Sequence, residues 1–221
     1  MLYVVPTPIG NLEDITLRAL RVLREEAKVI LAEDTRQSRV LLNHYQINTP
    51  LQAYHMHNEH RIVQEWAERI TQGEKVALVS DAGTPGISDP GFLLIRATLK
   101  LGGKVECLPG PTAFVPALVQ SGFPCDRFIF EGFLPLKKGR QTRLLTFAEE
   151  TRTVVIYESP HRIVKLLEEI VTLLGAEREV AICREISKLF EETLIMSAQN
   201  LLKYAQDNPL KGEIVLLLKG L

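Results

Sequence analysis

The sequence predicts an α/β fold made of two α/β domains, and three observations carry this. In the first half, short apolar runs such as Leu2–Val5, Lys28–Ala32 and Val76–Val79 alternate with amphipathic helical patterns, the signature of a largely parallel sheet with helices packed across it. In the second half, apolar runs adjoin with no helix between them, Glu179–Cys183 before Glu192–Met196, so that sheet is expected to be mixed. Between the halves, Gly122-Phe-Pro-Cys-Asp-Arg127 reads as a boundary, giving domains 1–121 and 122–221. A cleft where the turns of both domains meet is a favoured ligand position.

The bulk numbers are those of an ordinary globular chain. Of 221 residues, 46% are hydrophobic and 24% charged, and the net charge is −1. That balance gives no global attraction to nucleic acid or to an anionic membrane, so any nucleic-acid contact must use a local patch. No apolar run is long enough to span a bilayer, and the N-terminus opens on a strand-like segment with no signal-peptide pattern. Three widely spaced cysteines, Cys107, Cys125 and Cys183, form neither a disulfide framework nor a zinc spacing, so a reducing cytoplasm is expected.

Taken in order, Leu2–Val5 is a strand that runs into the turn Pro6–Asn11. Thr16–Glu25 is a helix with Leu17, Leu20 and Leu23 on one face. Lys28–Ala32 is a strand ending in Glu33-Asp-Thr-Arg36, and Ser38–His44 is helical. Leu51–Tyr54 is a weak strand before the polar segment 55–60. Arg61–Thr71 is an amphipathic helix with Ile62, Trp66 and Ile70 inward, closed by Gly73. Val76–Val79, a helix over Phe92–Lys100, a strand over Val105–Leu108 and a further helix after Pro109–Ala113 complete the first half. The second half reads as strand 128–133, helix 141–148, strand 153–157, helix 162–174, strands 179–183 and 192–196, helix 198–206 and strand 213–218. Trp66, Phe92 and Phe114 are assigned to the core.

The chain is organised around Val79-Ser-Asp-Ala-Gly-Thr-Pro-Gly-Ile-Ser-Asp-Pro-Gly91, a long turn between a strand and a helix. Ligands of α/β proteins bind at the carboxyl ends of strands, and Gly83 and Gly86 let backbone approach a ligand closely. Pro6–Asn11 and Pro109–Ala113 are similar turns. Turn and cap geometry accounts for part of this composition. Neither Gly-x-Gly-x-x-Gly nor a Walker lysine motif occurs, which argues against a dinucleotide or nucleoside-triphosphate site.

Other constellations carry two readings each. Glu33 and Asp34 are either a base or ribose ligand, with Arg36 on a phosphate, or a helix cap with first-turn acids. His55, His57 and His60 with Asn58 and Arg61 form a polar loop, open to RNA, to a metal or to solvent alone. Lys137, Lys138, Arg140 and Arg143 cluster in sequence without an intervening acid, as a phosphate patch or a solvated loop. Glu158 is placed to touch a ligand, while Ser159-Pro160 equally starts a helix. No aromatic interleaving of the kind that stacks single-stranded bases stands out.

Several motifs occur in a fixed order: Pro8-Ile-Gly-Asn11, Ala32-Glu-Asp-Thr-Arg36, Ser80–Gly91, Pro109-Gly-Pro-Thr-Ala113, Phe130-Glu-Gly-Phe133, Tyr157-Glu-Ser-Pro-His161 and Lys211-Gly-Glu213. Together they resemble an rRNA methyltransferase family of the tetrapyrrole methylase (class III) superfamily, over the whole chain. The family commonly continues past the Lys-Gly-Glu strand, and this chain stops at Leu221. The resemblance implies methyl transfer from S-adenosylmethionine to the 2′-hydroxyl of a cytidine in the decoding region of small-subunit rRNA, by a homodimer with the cofactor in the cleft between its two domains. It implies a cofactor site of Pro8, Asp81, Ala82, Gly83, Thr84, Ile87, Thr112 and Ala113, with Tyr157, Glu158 and Gly212 from the second domain. Asp34 or Glu33 is the candidate base. RNA contacts are expected at Arg36, His57, Arg61, Lys137, Lys138 and Arg140, and no metal is implied. Two alternatives are a tetrapyrrole C-methyltransferase, disfavoured by the long Ser80–Gly91 loop, and a non-catalytic RNA-binding module for ribosome assembly.

Overall fold

The structure, a computed structural model, describes residues 1–221. It divides into two compact units, Met1–Thr112 and Ala113–Leu221.

The first unit is a five-stranded sheet in the order β3-β2-β4-β1-β5, every pairing parallel. Its strands are β1 (Leu2–Val4), β2 (Val29–Ala32), β3 (Leu51–Ala53), β4 (Val76–Val79) and β5 (Val105–Cys107). The three central strands are apolar and buried throughout, as expected where helices cover both faces. Alternation sorts their side chains. Tyr3, Ile30, Ala32, Ala77 and Val79 enter one core, with Ala19, Val22 and Leu23 of the first helical segment and Leu41 and Leu42. Leu2, Val4, Val29, Leu31, Val76 and Leu78 enter the other, with Trp66, Ala67, Ile70 and Leu94. The covering helices are α1 (Leu17–Arg21), α2 (Thr35–His44), α3 (Glu59–Thr71) and α4 (Phe92–Lys100).

The second unit holds α5 (Phe114–Gln120), β6 (Phe128–Phe133), α6 (Arg140–Leu145), β7 (Thr153–Glu158), α7 (Ile163–Leu174), β8 (Glu179–Arg184), β9 (Glu192–Ser197), α8 (Ala198–Asp207) and β10 (Ile214–Leu218). Its sheet runs β6-β7-β10-β8-β9, with β6 parallel to β7 and the other pairs antiparallel. Val154, Ile156, Ile182 and Leu216 pack with α7 and α8 on one face. On the other, α5 lies against the sheet, where the Cys183 thiol donates to the carbonyl of Ala117 at 3.6 Å. That packing places α5 with the second unit, so the division falls at Thr112/Ala113 rather than after residue 121.

Two expectations about side chains need correction. Leu17 is 86% exposed. The buried stripe of the first helical segment is Ala19, Val22 and Leu23, because the helix widens by one π-type turn over Val22–Glu26. Phe92, expected in the core, is exposed, with Arg96 over its ring at 5.1 Å. Trp66 is buried as expected. No helix is long and apolar enough to cross a membrane.

Candidate functional site

In the first unit, the loops after β1, β4 and β5 come together at the carboxyl end of the sheet, because these three strands are neighbours. Thr7 and Gly83 exchange backbone hydrogen bonds in both directions, each 2.9 Å. The Thr7 hydroxyl donates to the carbonyl of Ser80 at 3.0 Å, and that of Thr84 to the carbonyl of Pro111 at 3.1 Å. Pro6 packs so closely on Gly110 that a Cβ there would stand 2.7 Å from the proline Cβ. Gly83 and Gly86 have φ of 77° and 85°, a region that admits glycine at little cost. Pro8, Ala82, Gly83, Thr84, Ile87 and Thr112 therefore belong to one interlocked group of loops. Ala113 caps α5, in the second unit.

The neighbouring strands β2 and β3 add ionisable groups to the same end. Glu33 is half-buried, and burial, reinforced by the nearby Asp81 charge, raises its carboxyl above the usual range. Asp81 is also pushed up, chiefly by partial burial, although the residue keeps solvent-facing surface. Asp34 behaves differently. Its carboxylate caps α2 by accepting the Arg36 backbone N–H at 2.8 Å, and the Arg36 guanidinium grips both oxygens. These bonds hold Asp34 down at about 2. The capping reading of Asp34 is thus realised, and a carboxylate so occupied is a poor base. Asp34 is therefore the weaker of the two candidates.

Arg36 remains solvent-exposed on α2 despite that pairing. With Thr35, Arg39, Val40 and Asn43 it lines a surface pocket. Arg39, Val40 and Asn43 were missed in the sequence, though their spacing from Arg36 puts them on one helix face. His57, in the turn before α3, and Arg61, in its first turn, are exposed.

In the second unit the predicted basic patch is partly dismantled. Arg140 is only 3% exposed. Its guanidinium donates to Glu158 at 3.1 Å and to Glu169 at 2.7 Å, so it is not an RNA contact. Glu158 is corrected with it: Arg140 and Arg162 enclose its carboxylate, which also accepts the Ser159 N–H, leaving nothing for a ligand. Arg143 pairs with Glu131. The sequence showed no acid among these residues because the acids arrive from β6, β7 and α7. Lys137 and Lys138 remain exposed in the loop before α6. Gly212 has φ of 83°, and the space beside it is filled by the Glu185 side chain, which argues against a ligand at that point.

Tyr157 belongs to an aromatic cluster not foreseen in the sequence. Its ring meets Phe130 at 5.1 Å and Phe133 at 5.6 Å, edge-on, and Phe114 lies 4.8 Å from Phe130. These aromatics are scattered in sequence, and the pairing of β6 with β7 brings them together. The irregularity between Phe130 and Gly132 re-aims the strand, and Phe133 is left exposed.

A parallel sheet whose strand ends carry glycine-rich loops and carboxylates, followed by a unit with a mixed sheet, defines a two-unit α/β protein with a ligand site of the strand-end class. The chain belongs to the tetrapyrrole (corrin/porphyrin) methylase family, which matches residues 1–202. It is 49% identical over 223 residues to the ribosomal RNA small subunit methyltransferase I of Pasteurella multocida, covering 100% of this chain and 79% of that protein. It is 45% identical to the protein of the same name from Synechocystis sp., with coverage of 100% and 79%. Among solved structures it resembles uroporphyrin-III C-methyltransferase from Thermus thermophilus complexed with S-adenosyl homocysteine, with TM-score 0.69, 22% identity, and coverage of 99% of this chain and 96% of that one. It also resembles diphthine synthase, with TM-score 0.75, 13% identity and coverage of 99% and 89%. At these identities the structural likeness speaks to fold alone.

Proposed function

We propose that the protein is an S-adenosylmethionine-dependent methyltransferase that methylates the 2′-hydroxyl of a cytidine in the decoding region of small-subunit rRNA. The observation that carries this is likeness at 44–49% identity, over at least 99% of this chain and 75–79% of each relative, to proteins named ribosomal RNA small subunit methyltransferase I. The first unit's loops fit such a cofactor. Gly83 and Gly86 open the backbone to close approach, and the Asp81 carboxylate suits the cofactor's ammonium. Pro8, Ala82, Thr84, Ile87 and Thr112 complete that wall. When bound, the cofactor supplies a methyl group already activated by its positively charged sulfur.

The chain's own residues then have two tasks. Glu33 takes the ribose proton, since a carboxyl raised towards the operating pH is the better general base. The exposed cations Lys137, Lys138, Arg36 and Arg61, with His57, meet RNA phosphates, which contribute much of such an affinity. Cytoplasmic residence and a homodimeric state belong to the same reading. The test is transfer of labelled methyl from S-adenosylmethionine to small ribosomal subunits from cells lacking the protein, followed by digestion to nucleosides. Label in 2′-O-methylcytidine is expected. Absence of transfer together with absence of cofactor binding would overturn the proposal.

A further inference from the structure

Helix α2 buries one face and leaves the other as a groove. Ser38, Leu41 and Leu42 are its buried side chains, while Arg36, Arg39, Val40 and Asn43 are exposed. Those four stand at i, i+3, i+4 and i+7, one stripe of a helix surface, which climbs about 10 Å along the axis. With Thr35 they line an open cavity of about 480 Å³, within the range of about 300–1,000 Å³ usual for ligand sites. The charge of the stripe is entirely positive, because α2 contains no acidic residue. Many arginines of the chain hold a carboxylate, but Arg39 forms no ion pair. Arg36 grips Asp34 with Nε and Nη2, which leaves Nη1 outside that pair. Thr35 and Asn43 add uncharged donors and acceptors, and Val40, 63% exposed, adds apolar surface between them. The stripe also begins beside the strand-end site. Thr35 follows Asp34, whose N–H is bonded to Asp81 at 2.9 Å, so one end of the cavity adjoins the Glu33–Asp34 segment.

We propose that the outer face of α2 is a binding groove for the sugar–phosphate backbone of the RNA strand that flanks the target nucleotide. Arg39 and Nη1 of Arg36 meet phosphate oxygens, and Thr35 and Asn43 meet phosphate or ribose oxygens. The proposal rests on the rRNA methyltransferase reading and adds Thr35, Arg39, Val40 and Asn43 to the surface that serves it. Sugar–phosphate is the chemistry that suits this set. Guanidinium forks match phosphate oxygens, and threonine and asparagine side chains are ordinary partners of nucleic-acid backbone oxygens. The Val40 methyls offer a rest for the carbon face of a ribose. In a chain of net charge −1, attraction of RNA has to come from a local stripe of this kind. The grip is on backbone and carries no base sequence, so it positions the strand and leaves the choice of nucleotide to the strand-end loops.

The experiment compares wild type, Arg39→Gln and Lys203→Gln, the last an exposed cation of α8 that serves as a charge control. Filter binding at several salt concentrations uses two probes, small ribosomal subunits from cells lacking the protein and protein-free small-subunit rRNA. Arg39→Gln is expected to weaken binding of both about fivefold to tenfold and to reduce the slope of log affinity against log salt by about one. Lys203→Gln is expected to follow wild type, and S-adenosylmethionine affinity is expected to be the same in all three proteins. In methyl transfer the Arg39→Gln loss is expected in KM for subunits rather than in kcat. Wild-type affinity and salt slope in Arg39→Gln overturn the proposal. So does an equal loss in Lys203→Gln, which would show net charge alone at work, or a matching loss of cofactor affinity, which would show a damaged fold. An Arg39 effect on subunits that vanishes on protein-free rRNA gives the groove to a ribosomal protein and overturns the RNA assignment. If wild type binds rRNA with the expected Arg39 dependence and transfers no methyl, the functional reading fails while the groove stands.

Discussion

The backbone N–H of Asp34 donates to Oδ1 of Asp81 at 2.9 Å, tying the carboxyl end of β2 to the loop that leaves β4. The bond couples the candidate base segment to the loop proposed to carry the cofactor. Asparagine at position 81 keeps an oxygen able to accept it and removes only the charge. Asp81→Asn is therefore expected to leave the thermal midpoint nearly unchanged and to weaken S-adenosylmethionine binding about tenfold, as loss of one charge-assisted hydrogen bond does. Calorimetric titration checks this, and wild-type affinity in the variant would remove Asp81 from the cofactor site.

Glu33 carries a pH signature of its own. Its folded-state pKa stands above the reference value of 4.5, so the native state holds the proton longer than the unfolded chain. Its contribution to stability is full below about 4.5 and is lost as pH rises through the folded value. Glu33→Gln is expected to match wild type in denaturant titrations at pH 4 and to exceed it at pH 7.5, while methyl transfer falls about 100-fold. Equal stability at both pH values would contradict the burial described for this carboxyl.

Gly110 tests the meeting of the loops. A Cβ there would lie 2.7 Å from Pro6 Cβ and 3.0 Å from Pro6 Cγ, so Pro6–Asn11 must move. Gly110→Ala is expected to cost about 1–3 kcal/mol, the usual range for overpacking, and to weaken cofactor binding as well. Unfolding curves and titration together separate the two effects.

The cations of the second unit divide into two kinds. Arg140→Ala leaves the Glu169 carboxylate without this cation and removes one of the two cations on Glu158, so a loss of about 3–5 kcal/mol is expected. Lys137→Glu with Lys138→Glu is expected to leave stability unchanged and to weaken rRNA binding with a shallower salt dependence. Filter binding at several salt concentrations, beside thermal unfolding, reads both. Unaltered RNA affinity in the double variant would exclude that loop from the interface.

Much of the chain was legible in its sequence. The continuous apolar runs at Ile30 and Leu78 announced buried parallel strands, because only strands covered on both faces are apolar at every position. The glycines at 83 and 86 announced a loop of unusual backbone conformation. Trp66 and Ile70 marked the inward face of α3 by their spacing. These are local signals, and each depends on residues within one element.

What only the tertiary structure decided concerns partners distant in sequence. Arg140 looked like a surface cation until Glu158 and Glu169 enclosed it. Asp34 and Glu33 were equivalent candidates until Arg36 occupied the first and burial raised the second. The Phe130–Tyr157–Phe133 cluster formed through the pairing of β6 with β7. The physical reason is the same in each case. Periodicity and turn chemistry act over a few residues of chain, whereas the charge state and exposure of a side chain are set by whatever the fold packs against it.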